Sequence, residues 1–144
     1  MKSKSGLIVV ILLVILIVFC KITNMEEEYR YLHDISSIKS IEIVKVEPIT
    51  IEQDEPDQEI LYTVNDINQF LEEFSQIYCT SMSPPDKIRY DSPVIKITYQ
   101  NGDYELIDAY GQSEFINGVY FVYEGIYYFD KEQFADFINQ FVDG

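Results

Sequence analysis

Two Asn-Gly pairs, Asn101-Gly102 and Asn117-Gly118, constrain the fold of this 144-residue chain more than any other feature. Asn-Gly strongly favours the tight turn that joins two antiparallel strands, and both pairs stand between short runs with the composition of β-strands. Those runs are 94–99, 104–108, 115–116 and 119–123, with a further run at 126–129 after Glu124-Gly125. The second half of the chain is therefore predicted to form an antiparallel meander.

The first half adds two strands and a helix, and the chain ends in a second helix. Apolar residues alternate from Ser40 onward and again over Glu59–Val64, which predicts two strands. The period then becomes helical for Ile67, Phe70, Leu71, Phe74, Ile77 and Tyr78, and again for Phe134, Phe137, Ile138 and Phe141. We therefore expect an α+β fold in two layers, with a mostly antiparallel sheet of about six strands and two helices packed on one face.

Both predicted helices begin with the same pattern, Asp-x-x-Gln-Phe, at Asp66 and at Asp130. One interpretation is that both are capping boxes, in which the Asp accepts a free backbone N–H and the Gln reaches back. The other is a ββα-type duplication within the domain. Both interpretations predict the same two-layer architecture.

The N-terminus carries an apolar run, Leu7–Cys20, preceded by Lys2 and Lys4. No small residue follows it where a signal peptidase would cut, which predicts an uncleaved signal anchor that crosses the membrane once. The expected organisation is a transmembrane helix over residues 1–23, a short helical stalk over 24–38, and an acidic domain over 39–144. Cys20 is a candidate for lipidation, although Phe19 is bulky for a lipobox; otherwise Cys20 is one more apolar residue of the span.

The positive charges before the run predict that the domain lies outside the cytoplasm, on the outer face of the cell membrane. Only Cys79 remains in the domain, so no internal disulfide is expected.

The charge of the chain is strongly acidic, with 25 acidic and 10 basic residues and a formal net charge of -15. Three of the bases precede Met25 and none of the acids do, so the part that follows carries 7 minus 25, or -18. A nucleic-acid surface needs clustered Lys and Arg, so nucleic acid is excluded as a partner.

No catalytic motif stands out. His33 is the only histidine and has no nearby ligand, so no zinc site is expected, and neither a nucleophile motif nor a phosphate-binding glycine loop occurs. We expect neither an enzyme nor a cofactor. A carboxylate-dependent hydrolase is the least favoured alternative, because no pair of acids stands out and the chain has no Trp.

Two groups of residues are candidates for binding a partner. The first is the acidic cluster of Asp54, Glu55 and Asp57; it lacks the glycine-centred turn of an EF-hand loop and is a solvated loop, a metal site or a docking loop. The second consists of tyrosines on consecutive strands. These are Tyr120, Tyr123 and Tyr127. Such rings anchor protein interfaces or stabilise a sheet through cross-strand pairs.

The chain reads as an anchor, a strand, a helix, a hairpin and a capped helix in that order. The hairpin segment, 95–103, is Ile-Lys-Ile-Thr-Tyr-Gln-Asn-Gly-Asp. The segment that leads into the capped helix, 127–134, is Tyr-Tyr-Phe-Asp-Lys-Glu-Gln-Phe. This pattern resembles small membrane-anchored, extracytoplasmic proteins of uncharacterised function from low-GC Gram-positive bacteria. The resemblance implies location and architecture only.

From the residues themselves we expect a membrane-tethered, non-enzymatic module that binds a basic protein, for example an immunity or inhibitor protein. The alternative is a structural or assembly accessory subunit of a membrane complex. The sequence leaves the oligomeric state open.

Overall fold

Six strands form one antiparallel sheet in the computed structural model, which describes residues 4–23, 28–47, 52–80, 93–109, 111–123 and 127–144. The strands are β1 (Ile38–Val46), β2 (Gln58–Thr63), β3 (Cys79–Thr80), β4 (Val94–Tyr99), β5 (Tyr104–Asp108), β6 (Gly111–Ile116), β7 (Val119–Tyr123) and β8 (Tyr128–Phe129). The helices are α1 (Lys4–Thr23), α2 (Ile67–Phe74) and α3 (Lys131–Val142), with a 3-10 turn at Ile35–Ser37. The large sheet has the order β2-β1-β4-β5-β6-β7.

The meander and the six-stranded antiparallel sheet confirm the α+β prediction. Asn117 and Gly118 both have positive φ, 51° and 82°, as a two-residue type I′ turn between β6 and β7 requires. At the other hairpin only Gly102 has positive φ, so the turn between β4 and β5 takes a longer form and brings Asp103 back beside Tyr99. The pairing of β3 with β8 in a separate two-stranded sheet was not predicted.

Alternation along the strands divides the apolar residues between the two faces of the sheet. One face carries Ile41, Ile43, Ile95 and Ile97, which pack against rings from α2 and α3. We call this the helix face. The opposite face, here the outer face, carries a smaller cluster. Its buried members are Val44, Val46, Val94, Tyr104 and Leu106.

The aspartates that precede α2 and α3 are N-caps. Asp66 accepts from the backbone N–H of Gln69 at 3.0 Å, and Asp130 accepts from that of Gln133 at 2.9 Å. The Gln133 side chain accepts from the Tyr78 amide at 2.8 Å instead of reaching back to its own cap. Because α2 follows β2 of the large sheet and α3 follows β8 of the small one, the two helices share a cap but not a topological position.

The helix α1 corrects the prediction of a membrane span. Within the residues that the structure describes, no helix combines the length and the apolar character needed to cross a membrane. The uninterrupted apolar run, Leu7–Cys20, is 14 residues long. It therefore covers about 21 Å at ~1.5 Å per residue, short of a hydrocarbon core of about 30 Å. The predictions of a transmembrane signal anchor, of the membrane as a partner and of single-pass localisation are therefore wrong.

The segment after α1 also differs from the predicted helical stalk. Residues 28–34 are not helical, and Tyr29 is buried in the cluster on the helix face, 5.9 Å from the ring of Phe74. The predicted start of that helix, at 24–27, lies outside the described residues. Residues 28–34 are therefore part of the folded domain.

Candidate partner-binding surface

The acidic loop, residues 52–57 between β1 and β2, lies against the outer face. Asp54, Glu55 and Asp57 are exposed, whereas Pro56 is buried. The base of the loop is closed by a backbone hydrogen bond from Glu47 to Asp57, 3.0 Å long. Glu55 accepts a short hydrogen bond from the hydroxyl of Tyr104 on β5. Three carboxylates are thus held at one place on the sheet.

Three aromatic rings continue from the acidic loop across the outer face; we call Tyr104, Phe115 and Tyr120 the aromatic strip. Tyr104 stacks on Phe115, with ring centroids 5.0 Å apart and planes 9° from parallel. Phe115 is the cross-strand partner of Tyr120, whose hydroxyl donates to Ser113 at 2.7 Å. The strip therefore connects the acidic loop to β7, the last strand of the sheet.

A cation and a carboxylate both contact the buried end of the strip. The Lys96 ammonium lies 4.4 Å from the centre of the Tyr104 ring. Burial, with Glu55 second, raises the pKa of the Tyr104 hydroxyl above its ordinary value, so the group stays a hydrogen-bond donor at neutral pH. The contact between loop and strip is therefore retained throughout the physiological pH range.

The structure separates the three tyrosines predicted to bind a partner. Tyr120 belongs to the aromatic strip and is half-buried. Tyr123 ends β7, where its backbone pairs with Gln112, and its side chain lies outside the described residues. Tyr127 is buried on the helix face, 5.4 Å from the ring of Tyr29, so its ring is not available to a partner in this conformation.

Sequence reasoning missed a buried polar cluster on the helix face. The carboxyl group of Glu105 on β5 is 1% exposed and accepts from the hydroxyls of Tyr29 at 3.0 Å and Tyr99 at 2.7 Å. The backbone amide of Leu32 donates to it at 3.3 Å. Burial raises the pKa of Glu105 to about 7, against the three donors, which favour the charged form. The available signal was a glutamate that stands between the apolar residues Tyr104 and Leu106 of a predicted strand.

His33 and Asp103 form a second polar pair at the edge of this cluster. His33 Nε2 lies 2.8 Å from Asp103 Oδ2, and the His33 side chain is 34% exposed. Asp103 also accepts from the amide of Asn117 at 3.0 Å. That amide, with His33 second, holds the pKa of the Asp103 carboxyl below its usual range. The pair ties residues 28–34 to the two Asn-Gly turns of the meander.

A cavity of about 270 Å³ opens on the helix face between α2 and residues 28–35. Leu71, Phe74 and Phe129 are among its buried lining residues, and Glu28 and Glu72 are among the exposed ones. It lies on the opposite side of the sheet from the aromatic strip, so the candidate surface does not include it.

Two further predictions concerned lipidation of Cys20 and a metal site in the acidic loop. Cys20 lies in α1, and its side chain is outside the described residues. Among the residues that the structure describes, no group of three His, Cys, Asp or Glu side chains is placed to hold a metal ion.

Comparisons with protein-family models, with curated proteins and with solved structures find no match to this chain.

Proposed function

We propose that this protein is a non-enzymatic module that binds a basic protein through the acidic loop and the aromatic strip. The observation that carries the proposal is the hydrogen bond from Tyr104 to Glu55, which holds the acidic loop beside a row of rings. Carboxylates attract a cationic partner over distance, and rings supply apolar contact area once the partner has docked.

The charge of the whole chain supports a basic partner. At a formal net charge of -15, an acidic protein would be repelled and a basic one attracted. Lys45 on β1 is 3.5 Å from Glu47, and Lys96 on β4 lies over the ring of Tyr104. Both cations are therefore engaged within the chain. An inhibitor or immunity protein for a cationic target is one form of this function.

The test is capture of partners by the full chain at low and at high ionic strength, with identification by mass spectrometry. We expect recovered proteins to be basic and their recovery to fall as salt rises, because exposed charges are screened beyond about 10 Å at 0.1 M salt. The double variant Asp54→Asn/Asp57→Asn should lose most of this capture.

A matched control removes two charges elsewhere. Glu132→Gln/Asp136→Asn changes the net charge equally but acts on exposed positions of α3, away from the loop. If both double variants lose capture equally, attraction by total charge explains the result and the proposed surface is wrong. If nothing is recovered at low ionic strength, the proposed function is wrong.

A further inference from the structure

We propose that β7 is the docking edge for the basic partner, which adds an extended segment as a seventh strand of the sheet. This inference rests on the proposed function and specifies the form of the partner. Among the described strands, β7 is the outermost on its side, and no described strand pairs with its outer edge.

The register of the β6–β7 hairpin identifies the backbone groups that this edge presents. Ile116 and Val119 flank the two-residue turn and therefore form a hydrogen-bonded pair, after which the two kinds of pair alternate along the strands. Val122 pairs with Ser113 and falls at a non-hydrogen-bonded position. The N–H and C=O groups of Val122 thus point away from β6, where an added strand would meet them.

The composition of β7 lacks the usual protection of an edge strand. Natural edges carry Lys, Pro or inward-pointing charges that prevent further pairing. β7 reads Val-Tyr-Phe-Val-Tyr and contains none of these. Its Val119 and Phe121 side chains are 52% and 48% exposed, which is high for large apolar residues in a sheet. An edge of this kind favours the addition of a strand.

The neighbouring charges specify a cationic occupant. Phe121 lies directly opposite Glu114, which in turn lies opposite Glu105, so the three side chains form a row on the helix face, from the exposed edge to the core. Side chains alternate along a strand, so the other side chains of an added strand would lie beside Tyr120 of the aromatic strip on the outer face. An Arg or Lys on the added strand beside Phe121 would lie over an exposed ring and extend toward the Glu114 carboxylate. A second copy of this chain is disfavoured at the same edge, because each copy carries a formal charge of -15.

The probe for this inference is a fluorescein-labelled peptide of eight alternating Lys and Val residues, titrated with the full chain and followed by anisotropy. A second peptide has the same sequence but is N-methylated at alternate residues, so that its charge is unchanged and one edge cannot pair. We expect the methylated peptide to bind at least ~10-fold more weakly, since backbone hydrogen bonds supply the affinity of an added strand.

Two variants of the protein provide the reciprocal test. Val122→Pro removes an outward N–H without breaking a bond to β6, and should weaken binding of the unmodified peptide by about 10-fold. Val122→Ala keeps that N–H and should change binding less than ~2-fold. Glu114→Gln should weaken binding by roughly 3-fold through loss of the carboxylate. Circular dichroism and thermal melting check that each variant is folded.

Equal binding of the two peptides overturns strand addition, whether or not Val122→Pro folds. If both peptides also lose affinity in Asp54→Asn/Asp57→Asn, the proposed function stands and only the docking mode is wrong. Failure of the unmodified peptide to bind also overturns the inference, as does dimerisation of the full chain, seen by sedimentation, that Val122→Pro abolishes.

Discussion

A tyrosine hydroxyl donates to a glutamate carboxylate on each face of the sheet, and the two pairs differ in their surroundings. On the helix face, Glu105 is buried and its carboxyl group accepts hydrogen bonds from the hydroxyls of Tyr29 and Tyr99. On the outer face, Glu55 is exposed and accepts a hydrogen bond from the hydroxyl of Tyr104. Burying a carboxylate in an apolar core costs free energy that its hydrogen bonds only partly offset, whereas an exposed carboxylate stays hydrated. We therefore expect the inner pair to govern stability and the outer pair to govern binding.

The largest expected difference between the pairs is in the free energy of unfolding after removal of the carboxyl group. Glu105→Ala leaves two buried hydroxyls and an amide without their acceptor, and should cost about 4 kcal/mol. Glu55→Ala should cost less than about 1 kcal/mol because water replaces the lost partner. Urea denaturation of the full chain at pH 6 measures both. Equal losses would show that the two environments do not differ as described.

The next largest effect is the dependence of stability on pH. The pKa of Glu105 is about 7 in the folded chain against an ordinary value of 4.5. Between these values the folded state keeps a proton that the unfolded state has released, so the free energy of unfolding falls as pH rises from about 4.5 to about 7. The fall should amount to about 3 kcal/mol, the equivalent of that pKa difference.

The control for this pH dependence is Glu105→Gln, which cannot ionise and should remove the fall, while Glu55→Gln should leave it in place. Denaturation at pH 5, 6, 7 and 8 gives the three profiles. A wild-type profile parallel to that of Glu105→Gln would rule out Glu105 as the titrating group. The pKa of Asp103 is lowered, so this carboxyl contributes stability that is lost only at more acidic pH.

A smaller effect is expected from the tyrosine hydroxyls. Tyr99→Phe should cost about 1–2 kcal/mol at pH 8, where Glu105 is charged and most dependent on its donors. Tyr104→Phe should cost less than about 1 kcal/mol but release the acidic loop, and so weaken capture of a basic partner. The two readouts should therefore separate: stability for Tyr99, binding for Tyr104. The same ranking in both assays would contradict the assigned roles.

The smallest effect concerns His33, whose environment lies between those of the two pairs. Its contact with Asp103 is partly open to solvent, so His33→Gln should cost less than about 1 kcal/mol. Thermal melting of the wild type and of the variant measures it. A loss as large as that of Glu105→Ala would mean that the His33–Asp103 pair contributes as much to stability as the buried cluster does.

The parts of the fold set by local chemistry could be predicted from sequence. The two Asn-Gly turns and the helical spacing of Phe70 and Phe74 depend only on neighbouring residues. Of the candidate surface, the acidic loop and Tyr120 could be found, since local composition marks them.

Long-range contacts could not be predicted. Tyr29 and Glu105 are 76 positions apart, so nothing beside either residue signals their hydrogen bond. β5 is buried on both faces, so alternation could not show on which side Glu105 lies. The apolar run at the N-terminus was predicted to span a membrane because all of its residues are apolar, although 14 residues are too few to cross the hydrocarbon core.

The two-stranded sheet of β3 and β8 has a consequence for the order of folding. It pairs Cys79 with Phe129, and the amide of Asp130 donates to the Tyr78 carbonyl at 2.8 Å, so it closes a loop of about 50 residues between α2 and α3. The hairpins of the meander close far shorter loops and should form first. Pulse-labelled hydrogen exchange should thus protect Leu106 and Phe115 before Phe129, leaving α3 the last element to dock.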